Sequence, residues 1–224
     1  MEMLGKIFGS QTKVRIIRLF LFNPEKVFDT REIAKRCQSS VSSTTREMRP
    51  LVSAGLIRKK SVVIGMRKVG GKEKAERKLK LGWALDLKFP YLSALQTLVI
   101  NTVLIKDDEI LNRLSGTGQI KLVVVAGVFI QDPESRVDLL VVGDRLKKTL
   151  IESRIKKMES EIGKELRYSI FETPDFQYRV SIYDKLARDI LEYKHKKIID
   201  KIGVRAPFTP FASSLVTQAP VKSA

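Results

Sequence analysis

The stretch from Ser40 to Leu81 constrains this chain most, because a helix there must run directly into a strongly basic hairpin. Ser40 can cap that helix through its hydroxyl, and Gly55 can take the left-handed conformation that ends it. Between them Thr44, Met48, Leu51 and Val52 recur at helical spacing and form one stripe for burial. The opposite face carries Ser42, Ser43, Thr45, Arg46 and Arg49, whose hydrogen-bonding groups suit phosphates and base edges. The first turn is small and polar, as a helix entering a groove requires. Pro50 lies inside the helix, removes a bond to the carbonyl of Arg46 and is expected to bend it.

Beyond Ile57 two strands are expected, the second marked by Leu79, Leu81 and Trp83 alternating with polar or small residues as in a half-buried strand. A glycine- and lysine-rich loop joins them. From Arg58 to Lys80 the basic residues are Arg58, Lys59, Lys60, Arg67, Lys68, Lys72, Lys74, Arg77, Lys78 and Lys80. Ten basic residues against Glu73 and Glu76 leave the hairpin at +8.

Upstream, Ser10 opens a helix with Val14, Ile17, Phe20 and Leu21 on its apolar face, and Asn23-Pro24 stops it. Asp29 or Thr30 caps a short second helix from Arg31 to Cys37, with Glu32 placed as in a capping box. In this order the elements resemble the winged helix-turn-helix domains of small bacterial and archaeal transcriptional regulators, over roughly residues 4 to 88. The phrase Arg46-x-Met48-Arg49-x-Leu51-Val52-x-x-Gly55-Leu56-Ile57 carries most of the resemblance. It implies double-stranded DNA as the partner, read by the polar face of the Ser40–Gly55 helix and held by the basic wing.

The distribution of charge agrees. The chain has 42 basic and 25 acidic residues; residues 1–90 hold 21 and 8 of them, a net of +13, and residues 91–224 hold 21 and 17, a net of +4. With 43% hydrophobic residues in 224, two small cores can be buried. Cys37 is the only cysteine and His195 the only histidine, so an intrachain disulfide and a zinc finger are excluded, and His195 within Lys194-His195-Lys196-Lys197 does not point to a catalytic triad. Cys37 is expected to pack and His195 to lie at the surface. The start carries no signal-peptide pattern and the apolar runs are strand-length, which leads to the expectation of a soluble, cytoplasmic protein without membrane contact.

Asp86 to Pro90 closes the wing domain, and Tyr91 to Ile105 is expected to be a helix with Leu92, Leu95, Leu98, Val99, Thr102 and Val103 in a broad apolar stripe. Such a helix joins two domains or pairs with a second copy, and a homodimer suits a protein that reads two half-sites. From Asp107 helices and strands alternate: a helix at 108–115, strands at 120–126 and 136–142, a helix at 145–162, a strand at 165–171, a helix opened by Thr173-Pro174, and a helix at 184–193. Lys197 to Ile199 is either a closing strand or a continuation of that helix. Pro207 to Ala224 has no periodicity and is expected to be a flexible tail.

Two strands joined by a glycine-containing loop and ending in Val137-Asp138-Leu139-Leu140-Val141-Val142-Gly143-Asp144 resemble the minimal nucleotidyltransferase fold over roughly residues 107 to 203. The family carries Gly-Ser after the first strand, to hold nucleotide phosphates, and Asp-x-Asp at the second, to bind metal ions. Here Gly127 matches the glycine, Val128 stands at the serine, Arg136 at the first aspartate, and only Asp138 remains. Glu165, sharing a strand face with Arg167 and Ser169, is a loose candidate for a third carboxylate. Arg in place of Asp swings the local charge by two units, and unit charges at about 4 Å interact by roughly 4 kcal/mol at an effective dielectric near 20. Arg136 is expected to pair with Asp138 from the same side of the strand and to repel a metal.

The expected fold class is α/β (α+β): a winged helix-turn-helix DNA-binding domain at 1–90, a connecting or dimerisation helix at 91–106, a degenerate nucleotidyltransferase-like domain at 107–203 and a tail at 204–224. The expected function is a dimeric DNA-binding transcriptional regulator that needs no cofactor or metal and performs no catalysis, with a nucleotide as candidate effector. The alternatives are an active nucleotidyltransferase modifying a protein, RNA or small molecule, and a basic RNA-binding or scaffold protein, whose charge fits but whose helix-then-wing order does not.

Overall fold

The chain begins with α1 (Glu2–Phe8); Ser10 then accepts a hydrogen bond from the Lys13 amide (3.3 Å) and starts α2 (Gln11–Phe22). The computed structural model describes residues 2–68, 75–100, 105–132 and 134–204, and of Glu2 and the described residues between 62 and 80 the backbone alone. It is a mixed α/β protein with two small sheets. The described residues form two compact units, Met1–Ser115 with Lys147–Leu166, and Gly116–Leu146 with the residues from Arg167 onward. The helix expected at 145–162 thus groups with the first unit rather than with the strands on either side of it.

In the first unit α2 is the hub. Ile16, Ile17, Leu19, Phe20 and Leu21 are all buried, and around them pack α3 (Thr30–Arg36), capped by Asp29, and α4 (Val41–Ser53). Ile33, Met48, Leu51 and Leu56 complete this core, with Phe28 edge-on to Phe20 at 5.7 Å. β1 (Ile57–Lys68) and β2 (Ala75–Leu85) form an antiparallel hairpin from Ile57↔Leu85 to Lys68↔Ala75, with a register shift between Val63 and Gly65. Phe28 bonds both ways to Trp83 (3.0 and 2.8 Å), which ties the base of the hairpin to the segment before α3. Gly82 makes that approach possible, since a Cβ there would lie 2.6 Å from the Phe28 carbonyl oxygen. Leu81 departs from the expected half-buried alternation: it is 67% exposed, because it stands beyond Trp83, past the last pairing with Phe28.

α5 (Leu92–Ile100), α6 (Asp107–Leu114) and α7 (Lys148–Ile162) complete this unit. The helix expected to reach Ile105 is described only to Ile100, and Thr102 and Val103 lie outside the described residues. Arg18, only 1% exposed, joins three helices: its Nη1 donates to the Glu161 carbonyl (2.9 Å) and its Nε to that of Val99 (3.4 Å). Burial pulls its guanidinium down to about 10, so it is charged at neutral pH.

The second unit is a four-stranded sheet in the order β5-β4-β3-β6, made of β3 (Gln119–Val125), β4 (Leu139–Asp144), β5 (Tyr168–Glu172) and β6 (Lys196–Asp200). β4 and β5 are parallel and the other pairs antiparallel. Lys197 to Ile199 is therefore an edge strand beside β3. α8 (Thr173–Ser181) and α9 (Lys185–Glu192) cover the face bearing Leu122, Val124, Leu140 and Val142, with Phe176 and Ile190 in that core. Of the tail expected at 204–224, only Val204 is among the described residues.

Candidate nucleic-acid interface

α4 is built to show one face. The Ser40 hydroxyl accepts the Ser43 amide (3.1 Å), and at the other end Gly55 has φ +81° while the Leu56 amide returns to the Leu51 carbonyl (3.0 Å). Thr44, Met48 and Leu51 are buried and Val52 is half-buried. Ser42, Thr45, Arg46 and Arg49 are exposed, and Ser43 is partly so. Pro50 sits within the helix, which nonetheless continues to Ser53.

The exposed side chains differ in how firmly they are held. Thr45 donates its hydroxyl proton to the Val41 carbonyl (2.9 Å), which leaves the hydroxyl oxygen as an acceptor facing outward. Arg46 is 76% exposed and its Nε lies 3.5 Å from the Glu47 carboxylate, which also faces Lys13 at 3.7 Å. An exposed pair of this kind contributes little, so Arg46 can exchange it for a stronger partner at small cost. Arg49 makes no ion pair among the described residues. It borders an apolar hollow of about 380 Å³ walled by Met48, Val52 and Trp83.

Arg58, Lys59 and Lys60 on β1 are all exposed. Arg58 lies 3.9 Å from Asp86, and the Lys59 ammonium sits 5.7 Å from the centre of the Trp83 indole, whose N–H donates to the Thr30 hydroxyl (3.2 Å). Farther out, the backbones of Arg67, Lys68, Arg77, Lys78 and Lys80 belong to the paired hairpin. Lys72 and Lys74 lie outside the described residues.

In the second unit, the corner between β3 and β4 carries the other group of sequence candidates. Gly127, with φ +52°, begins a 3₁₀ turn to Phe129, and a Cβ there would fall 2.0 Å from Asp138 Oδ1. Val128 contributes its backbone, not its side chain: its N–H donates to Asp138 Oδ1 at 3.0 Å. Asp138 is wholly buried.

The expected pairing of Arg136 with Asp138 does not occur. β4 starts only at Leu139, so residues 136–138 precede the strand and its two-residue alternation does not apply. Arg136 turns outward to Asp189 on α9 (2.8 Å). Asp138 is held by Arg167, whose backbone N–H donates to Oδ2 at 2.8 Å and whose Nε and Nη2 lie 3.2 and 3.4 Å from Oδ2 and Oδ1. Glu165 and Arg167 likewise precede β5, which begins at Tyr168, so they share no strand face with Ser169. Glu165 pairs with Arg36 (2.9 Å) in the first unit.

A carboxylate offers about four lone-pair positions. Val128 N–H and three donors of Arg167 occupy them at Asp138, so this residue does not fit the role of a metal ligand. Among the described residues no group of three or more His, Cys, Asp or Glu is placed to hold a metal ion, and no helix is long and apolar enough to cross a membrane. Cys37 is buried, and the Nδ1 of the half-buried His195 lies 2.8 Å from the Tyr193 carbonyl. Arg167 was not legible as the partner of Asp138, because 29 residues separate them and no local pattern links them. Comparisons with known protein families, with curated proteins and with solved structures find no match to this chain.

Proposed function

We propose that this chain is a DNA-binding transcriptional regulator in which α4 is a winged-helix recognition helix and the β1–β2 hairpin is the wing. The observation that carries the reading is the two-faced α4. It buries Thr44, Met48 and Leu51 while presenting Ser42, Thr45, Arg46 and Arg49, next in sequence to the exposed cations Arg58, Lys59 and Lys60. Arg46 and Arg49 read or anchor the duplex, and the hairpin cations, including Arg67, Lys68, Lys72, Lys74, Arg77 and Lys78, supply affinity independent of sequence. The protein acts as a homodimer that engages two half-sites, with the exposed Leu98 of α5 at the contact and Leu95 and the buried Val99 supporting the helix from the core. Residues 107–203, whose sequence resembles the minimal nucleotidyltransferases, lack that family's chemistry and serve assembly or the sensing of a nucleotide.

Selection of bound duplexes from a random pool supplies the target, after which two variants separate the roles. Arg46→Ala is expected to reduce discrimination between target and random duplex, a lost bidentate base contact costing about 1–3 kcal/mol at one position. Lys59→Ala with Lys60→Ala is expected to weaken both duplexes alike and to reduce the slope of log affinity against log salt by up to about 1.8. If neither variant changes binding to any duplex, the interface is misassigned. Magnesium-dependent transfer of label from a nucleoside triphosphate to the chain itself, RNA or a co-purified protein would move the protein to the nucleotidyltransferases.

A further inference from the structure

The first unit contains a second feature, away from the exposed face of α4. A cavity of about 400 Å³, within the range of small-molecule sites, opens between α2, α3 and the end of α7. Its lining holds five cations, Arg15, Lys35, Arg36, Lys156 and Lys164, against three carboxylates, Glu32, Glu159 and Glu165. Each carboxylate is already engaged. Glu32 and Glu165 both face Arg36, at 3.5 and 2.9 Å, and Glu159 accepts the Leu166 amide at 2.8 Å.

Three of the cations are not engaged in this way. Lys35, Lys156 and Lys164 form no ion pair among the described residues, although they border the same cavity. The C-terminal ends of α3 and α7 also meet the cavity, at Cys37 and Gly163, and contribute roughly half a negative charge each. Set against a side-chain balance of +2, the cavity keeps a positive excess. On the α7 side the half-buried Glu159 carboxyl is raised above its ordinary value, chiefly by burial and then by Glu165, against the Leu166 amide, Lys156 and Arg36. A multivalent anion would therefore meet cations without strong competing partners, in a space of suitable size.

The cavity also touches the part of the fold that sets the position of α4. Arg15 donates from Nη1 to the Cys37 carbonyl (3.2 Å), and Cys37 and Gln38 form the turn between α3 and α4, with Gln38 at φ +49°. We propose that this cavity is an effector site for a small phosphorylated anion, gripped by Lys35, Lys156 and Lys164 and coupled through Arg15 and the Cys37-Gln38 turn to the orientation of α4. The binding part of this proposal is independent of the DNA-binding reading; the coupling part rests on it.

The test uses the full chain and inorganic pyrophosphate, with sodium chloride of equal ionic strength as control. Isothermal titration is expected to show saturable binding at one site per chain, weakened at least tenfold in Lys156→Ala with Lys164→Ala and unchanged in the hairpin variant Lys59→Ala with Lys60→Ala. Retention of the wild-type melting temperature by the α7 variant confirms that it folds; if it does not, Lys35→Ala on α3 takes its place. No saturable binding above the salt control, or equal weakening by the hairpin variant, overturns the site, because pyrophosphate would then be sampling the general basic surface. If the site binds, pyrophosphate is expected to change affinity for a DNA duplex, and the duplex to change affinity for pyrophosphate by the same factor. Binding without that reciprocal change overturns the coupling and leaves the DNA-binding reading untouched.

Discussion

Asp138 and Arg167 meet twice: the Arg167 carbonyl accepts the Asp138 amide (2.6 Å), while the Arg167 amide and guanidinium hold the Asp138 carboxylate (2.8 and 3.2 Å). The side-chain contact thus closes a ring begun by the backbone just ahead of β4 and β5. Truncating the wholly buried member leaves the Val128 and Arg167 amides without their acceptor. Asp138→Ala is therefore expected to destabilise the protein by about 3–5 kcal/mol. Arg167→Ala, which spares both amide bonds, should cost less, about 1–3 kcal/mol. Urea unfolding of the two variants beside an exposed control, Asp175→Ala, checks the order; equal midpoints for all three would show that the ring does not matter.

Gly127 and Gly55 both lie at positive φ, +52° and +81°, but only one is crowded. Around Gly55 nothing would come within 4 Å of an added Cβ, so Gly55→Ala carries only the backbone strain of the left-handed region, about 1–2 kcal/mol. Around Gly127 the Cβ would meet the Asp138 carboxylate, which is fixed by its own donors. Gly127→Ala is expected to lose several times more stability than Gly55→Ala in thermal melts. Matching losses would mean that the β3–β4 corner can open without cost.

What was legible in the sequence were features with a local code. Ser10, Asp29 and Ser40 cap their helices as their residue types suggest, Gly55 ends α4, and the stripe Thr44, Met48, Leu51 is buried. The hairpin also follows, because its turn and charge are contiguous. The partner of Asp138 was not legible: placing it required knowing that β4 begins at Leu139, three residues after the expected start, so that strand alternation does not fix which way residue 136 points. The grouping of α7 with the first unit also escaped, since an amphipathic helix carries no mark of which core it serves. The signal for that grouping in the sequence is the charged Arg18 within the apolar run Ile16 to Phe22, which needs acceptors from outside α2.

Cys37 is buried, and burial, opposed weakly by Arg15 and Arg36, pushes its thiol up to about 12. Against an ordinary value of 9.0, that lowers the thiolate fraction at pH 8 by about a thousandfold. Alkylation by iodoacetamide at pH 8 is expected to be slower by about that factor in the folded protein than in 8 M urea. The sign for stability follows from the raised value: the contribution is fully present below about pH 9 and is lost as pH rises toward about 12. Rapid stoichiometric labelling of the folded protein would show that the thiol is accessible and not buried in the core.

Arg18 gives the sharpest stability test in the first unit, since one guanidinium serves carbonyls at Val99 and Glu161 from within the apolar face of α2. Arg18→Ala removes the donors and leaves a cavity the size of the side chain. About 3–5 kcal/mol should be lost, combining packing and unsatisfied acceptors. Arg18→Met refills most of the volume but restores no donor, so it isolates the polar part of the cost, about 1–3 kcal/mol. Chemical denaturation of both variants is expected to place Met between wild type and Ala. A Met variant as stable as wild type would assign Arg18 a packing role alone, and one as unstable as Ala would make its hydrogen bonds the whole of its contribution.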